Sequence, residues 1–93
     1  MKSIIQPDWE VCYLCGRQYG LEVHHVMSGT ANRRLSERYG LTVRLCHNCH
    51  TGGRDSAQYE AQLNKLLKQD AQRAFEAKYS HDDWMRLFRK NYL

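Results

Sequence analysis

The chain has 93 residues, 42% of them hydrophobic, and a formal net charge of +4. That length predicts one domain, residues 1–93, whose small core leans on a disulfide, a metal or a partner. The apolar content predicts a folded chain, and the lack of a long apolar run and of any signal pattern after Met1-Lys2 predicts neither a membrane span nor a secretory leader.

In chain order, residues 1–10 read as an irregular lead-in containing Pro7, the one proline. Cys12-Tyr13-Leu14-Cys15-Gly16 reads as a tight turn with two thiols three positions apart. Residues 21–27 hold β-branched side chains and predict a short strand, broken by Ser28-Gly29-Thr30. Residues 32–39 predict a short helix, with Thr30 as its cap and Gly40 just past its end. Residues 41–45 alternate apolar and polar, which predicts a second strand running into Cys46-His47-Asn48-Cys49-His50.

Gly52-Gly53 then allows a sharp turn. Tyr59, Leu63, Leu66, Leu67, Ala74, Phe75 and Tyr79 recur at helical steps. Ser80-His81-Asp82-Asp83 resembles a capping box that starts a last helix, with Trp84, Leu87 and Phe88 on one face. Acid in its first turn and Arg89-Lys90 near its end suit the helix dipole.

Charge is uneven. Residues 1–54 carry seven Lys/Arg against four Asp/Glu, whereas residues 55–93 carry seven against six. The basic surplus therefore shares its half with every cysteine and with four of the five histidines. Such a balance suits a polyanionic partner bound through phosphate contacts.

A cytoplasmic home is expected for a chain without a leader, and thiols stay reduced there. Cys12, Cys15, Cys46 and Cys49 therefore read as metal ligands. Two C-x-x-C units can close a tetrahedral four-sulfur site for structural Zn2+. The 30 residues between Cys15 and Cys46 exceed the usual ribbon spacing and leave room for a working element. A closed site of this kind has no open position, so it staples the fold and catalyses nothing.

His24, His25 and His50 are the candidates for chemistry. Neighbours on a strand point to opposite faces, or diverge at a bulge, so His24 and His25 can take different tasks. One can bind a metal while the other accepts a proton. His50 follows Cys49, and the knuckle pins it near the strand pair. His47 and His81 read as surface residues, with replacement of a cysteine ligand open to His47.

These features together resemble the HNH endonuclease superfamily in its cysteine-framed branch. The resemblance rests on Cys12-x-x-Cys15, Val23-His24-His25-Val26 and Leu45-Cys46-x-x-Cys49-His50. A second stretch, His24-His25-x-x-x-Gly29-x-x-Asn32-Arg33-Arg34 followed by Ser36-Glu37-x-Tyr39-Gly40-Leu41, is similar to small phage- and prophage-encoded members. About four-fifths of the chain is covered.

The resemblance implies an α+β fold: a small zinc-stapled ββα-metal, treble-clef-like core with C-terminal helices at about residues 56–92. It implies His25 as general base, and His24 and His50 as ligands of a catalytic divalent metal (Mg2+, Mn2+, Ni2+ or Zn2+). Leu41 or Thr42 stands where the family places its central Asn, which leaves Asn32 as the substitute from the loop. Gln58 stands in for a further metal ligand on the following helix. Arg33, Arg34, Arg38 and Arg44 become clamps for the phosphate backbone. The expected reaction is hydrolysis of phosphodiester bonds in DNA, with RNA left open. Two rivals remain: an inactive zinc-stabilised nucleic-acid-binding module, and a protein–protein adaptor.

Overall fold

The computed structural model describes residues 3–52 and 61–93. Gln58, Arg54 and the start of the second predicted helix lie outside these residues. The described fold is small and α+β. Its elements are β1 (Leu21–His25), α1 (Thr30–Tyr39), β2 (Thr42–Cys46), a short π-type turn (Asn48–Gly52), α2 (Ala61–Lys78) and α3 (His81–Phe88).

β1 and β2 form a two-stranded antiparallel sheet in which Leu21 faces Cys46, Val23 faces Arg44, His24 faces Val43 and His25 faces Thr42. Residues Leu41, Val43 and Leu45 are fully buried, as their alternation requires. Thr42 and Cys46 are buried as well, because the N-terminal segment covers the other side of β2. Ser3 Oγ donates to the Thr42 carbonyl, and the Tyr13 N–H donates to the Arg44 carbonyl at 2.7 Å. The buried Gln6 accepts from the Arg44 N–H at 2.7 Å and donates to the Asp8 and Val11 carbonyls. The lead-in is therefore irregular but tied down, its buried Ser3 and Gln6 bonding the backbone of both β2 and the lead-in itself.

The first strand is shorter than its sequence suggests. The Val26 N–H still reaches the Leu41 carbonyl at 3.1 Å, but Val26 and Met27 turn into the core at 1% exposure each. Ser36 Oγ, fully buried on α1, accepts from the Met27 N–H and donates to the Met27 carbonyl, which draws the chain off the sheet. Strand two is displaced by one residue from the predicted 41–45, to Thr42–Cys46. Thr30 is not the cap of α1. It lies inside the helix, and Gly29 (φ 97°) occupies the cap position without a side-chain hydrogen bond. Gly40, left-handed at φ 71°, ends α1 as expected and returns the chain to β2.

The helical layer closes the core around aromatic rings. Phe75 on α2 meets Tyr39 of α1 at 5.4 Å and Trp84 of α3 at 5.5 Å, and Trp84 meets Phe88 at 4.3 Å. Ser80 caps α3 by accepting from the Asp83 N–H at 3.0 Å. Gln72, fully buried, spends its amide on Glu76 and Asn91 and accepts from the Tyr92 N–H. That network fastens the C-terminal tail across α2. Among the described residues no helix is long and apolar enough to cross a membrane.

Candidate functional site

Two groups of ligand-bearing side chains stand at the ends of the small sheet. In the first, the sulfurs of Cys12, Cys15, Cys46 and Cys49 all lie within 4.8 Å of one another. Cys46 is the last residue of β2, Cys49 sits in the π-type turn, and the other pair comes from the loop before β1. Gly16, at φ +81°, lets that loop fold back so that its N–H reaches the Cys12 carbonyl at 2.9 Å.

Four sulfurs about 2.3 Å from one ion stand roughly 3.8 Å apart at tetrahedral corners. The 3.6 Å between Cys15 and Cys46 matches this spacing. Burial raises the Cys12 pKa, but backbone N–H groups of Cys46, Cys15 and Leu14 outweigh it and bring the thiol down to about 6. Burial and the three neighbouring sulfurs push Cys49 far up. A dication reconciles such close sulfurs by stabilising every thiolate at once. The donor set thus fits a structural metal such as zinc.

The second group is built from histidines. His24, His25, His50, Arg33 and Asn64 line one cavity of about 600 Å³. His24 and His50 rings meet edge to face at 5.1 Å, although 26 positions separate them in the chain. Burial lowers the His24 pKa to about 4, with smaller contributions from His50, His25 and Lys68. Its ring is therefore neutral at physiological pH, and among the described residues its buried Nε2 has no hydrogen-bond partner. A buried, unpaired imidazole nitrogen is costly unless something else binds it.

Carboxylates hold the other two rings. Glu22 Oε1 meets His50 Nδ1 at 2.8 Å, and Glu22 Oε2 meets the exposed His47 at 3.3 Å. The bond to His50, then that to His47, holds the Glu22 carboxyl below its usual range. Glu37 Oε1 on α1 meets His25 Nε2 at 3.0 Å. A carboxylate on one ring nitrogen fixes the tautomer and leaves the other nitrogen free for a ligand or a proton.

The structure thus brings together His24, His25, His50 and Arg33. Asn32 is half-buried on α1 and does not line the cavity, and the side chain bonded to His25 is Glu37. Arg34 is exposed on α1, and Arg38 lies over the Tyr39 ring at 5.6 Å. Arg44 does not line the cavity: it donates to the Trp9 carbonyl at 3.3 Å and lies over the Trp9 ring. His81 bonds Glu76 at 2.8 Å on the surface, as read from sequence.

Three site residues escaped the sequence reading: Glu22, Glu37 and Asn64. Only Glu22 carried a signal, since it lies two positions before His24 and so shares a strand face with it. Comparison with protein-family models, with curated proteins and with solved structures finds no match for this chain.

Proposed function

We propose that this chain is a metal-dependent endonuclease of the ββα-metal (HNH) type acting on DNA, with a zinc-stapled, treble-clef-like core. One observation carries the reading. An unpartnered His24 nitrogen sits against a carboxylate-held His50, and a carboxylate-held His25 opens into the same cavity.

His24 and His50 would hold the catalytic ion, and Asn64, which lines the same cavity, would offer its amide oxygen as a third donor. When bound, that divalent ion supplies positive charge to the scissile phosphate and to the leaving oxygen. Glu37 accepts from His25 Nε2–H, so the Nδ1 lone pair takes the proton from the attacking water. Arg33, on the cavity rim, pairs with the phosphate through its planar guanidinium. Zn2+ at Cys12, Cys15, Cys46 and Cys49 fixes the turn that carries His50, and takes no part in the hydrolysis.

A second reading, a zinc-stabilised nucleic-acid binder without cleavage, draws on one fact. Among the described residues only the four cysteines bring three or more His, Cys, Asp or Glu ligand atoms all within 4.8 Å of one another. Nicking of supercoiled plasmid with Mg2+, Mn2+, Ni2+ or Zn2+ separates the two. The nuclease reading expects cleavage that falls by about 10²–10⁴ in His25→Ala, with zinc content and DNA binding unchanged. DNA binding with no cleavage in any of these metals selects the binder.

A further inference from the structure

A second cavity, of about 580 Å³, lies between α2 and the C-terminal tail, and Lys65, Lys68 and Lys90 all line it. Lys65 and Lys68 are three positions apart on α2, and so share a face. Lys90 arrives from the chain after α3. Among the described residues none of the three has a carboxylate partner, whereas Arg73 and Arg86 are paired with Asp70 and Asp83. The Lys68 and Lys90 ammonium groups, both within 5.5 Å of the Tyr92 ring centre, repel each other, and an anion in a hollow that Lys65 also lines relieves that repulsion.

The hollow is built. Trp84 Nε1 donates to the Lys90 carbonyl at 2.9 Å, Gln69 Nε2 donates to the Tyr92 carbonyl at 2.9 Å, and Gln72 accepts from the Tyr92 N–H at 2.8 Å. The Tyr92 ring so fixed has the Lys68 ammonium 5.5 Å and the Lys90 ammonium 5.3 Å from its centre. The ring gathers the two charges by cation–π attraction and keeps them ready for a ligand. Asn64 lines this hollow and the histidine cavity alike, so the two adjoin across α2. Lys68, one turn beyond Asn64, already acts on His24 through its charge.

We infer that Lys65, Lys68 and Lys90 form a phosphate track that carries the nucleic-acid backbone away from the histidine cavity. This choice of ligand rests on the nuclease reading, but the track needs no catalysis. It also moves most of the backbone contact from the arginines of α1 and β2 to α2 and the tail.

The test measures binding of a fluorescein-labelled DNA duplex to zinc-loaded full chain across a salt series, in the His25→Ala background without other divalent metal. Cleavage then cannot influence the readout. Lys65→Gln/Lys68→Gln/Lys90→Gln is compared with a charge-matched control, Arg73→Gln/Lys78→Gln/Arg86→Gln. The track predicts that the log–log salt slope becomes shallower by about 2–3, with affinity down roughly tenfold or more. The control stays within about one unit of slope. Equal loss in both triples, an unchanged slope in the first, or no DNA binding by the parent chain overturns the inference. Binding that behaves as predicted in a protein that never nicks plasmid sinks the nuclease reading and leaves the track standing. Circular dichroism and zinc content confirm that each variant is folded.

Discussion

The two ends of the sheet solve the same problem, gathering ligands, in different ways. At the cysteine end four identical donors come from two C-x-x-C turns, and the cluster is closed on itself. At the histidine end the side chains come from β1, the π-type turn, α1 and α2, and they face an open cavity. A closed sulfur site has nothing to offer a substrate, so its worth lies in stability. An open imidazole site has little to give the fold, and its buried His24 nitrogen has no partner among the described residues. The contrast teaches that one end supports the other: Cys46 and Cys49 fix the turn on which His50 depends.

The largest expected effect breaks the comparison at its closed end. Removing zinc with a chelator, or replacing Cys46 by Ser, should unfold the chain, because structural zinc contributes on the order of 10 kcal/mol or more in domains of this size. Circular dichroism should lose its helical signal, and metal analysis should fall from one tightly held zinc per chain to none. A cooperative melt that survives chelation would show that the aromatic core of Phe75, Trp84 and Phe88 stands by itself.

Next comes the open end. Glu22→Ala frees His50 Nδ1 and removes the group that also bonds His47. Partners of metal-bound histidines typically matter by about 10–100-fold in metal affinity or activity. Titration of Mn2+ into the zinc-loaded protein should show that loss with little change in thermal stability. A change in stability as large as that in metal affinity would make Glu22 a structural brace.

Glu37→Gln probes the proposed general base rather than the proposed ligands. Its expected cost is smaller than that of Glu22→Ala, because the Glu37 side chain is 59% exposed and water can replace part of its bond to His25. The diagnostic readout is the rate of nicking at fixed pH and metal. Without the carboxylate that holds the ring, nicking should fall by about 3–10-fold while DNA binding stays fixed. An unchanged rate would leave His25 oriented by other means.

Much of this contrast was legible in the sequence, and unequally so. The cysteine pairs announce themselves because the spacing itself encodes a local turn. The alternation of Leu41, Val43 and Leu45 and the Ser80 cap are likewise local, and both hold. His24 and His50 were visible as residue types, and their contact at 5.1 Å depends on the pairing of β1 with β2. Glu37 and Asn64 were illegible, because nothing in a helix marks which polar side chain faces a strand from elsewhere in the chain. The contact of Arg44 with Trp9, 35 positions away, was equally illegible: one guanidinium nitrogen donates to the Trp9 carbonyl and the group lies over the Trp9 ring. Thr30 failed as a cap for a different reason: a glycine able to take φ 97° was available one residue earlier.

The smallest effect tests how the closed end is joined to the helices. Tyr13, between Cys12 and Cys15, donates its hydroxyl to Asp70 of α2 at 2.8 Å, and burial together with that carboxylate pushes its pKa up to about 12. The hydroxyl is thus protonated throughout the working range, and the bond is a neutral donor on a charged acceptor. Tyr13→Phe removes the donor but leaves the ring packed. Asp70 keeps Arg73 as a partner at 3.3 Å and remains partly accessible to water, so its carboxylate is not stranded. The loss should therefore be about 1 kcal/mol, read as a lower urea midpoint with unchanged slope. If the knuckle and the helical layer fold as one unit, the zinc-loaded variant melts in a single transition at a lower temperature. Two separated transitions would mean that this hydrogen bond, more than the shared core, couples the stapled end to the end that carries the histidines.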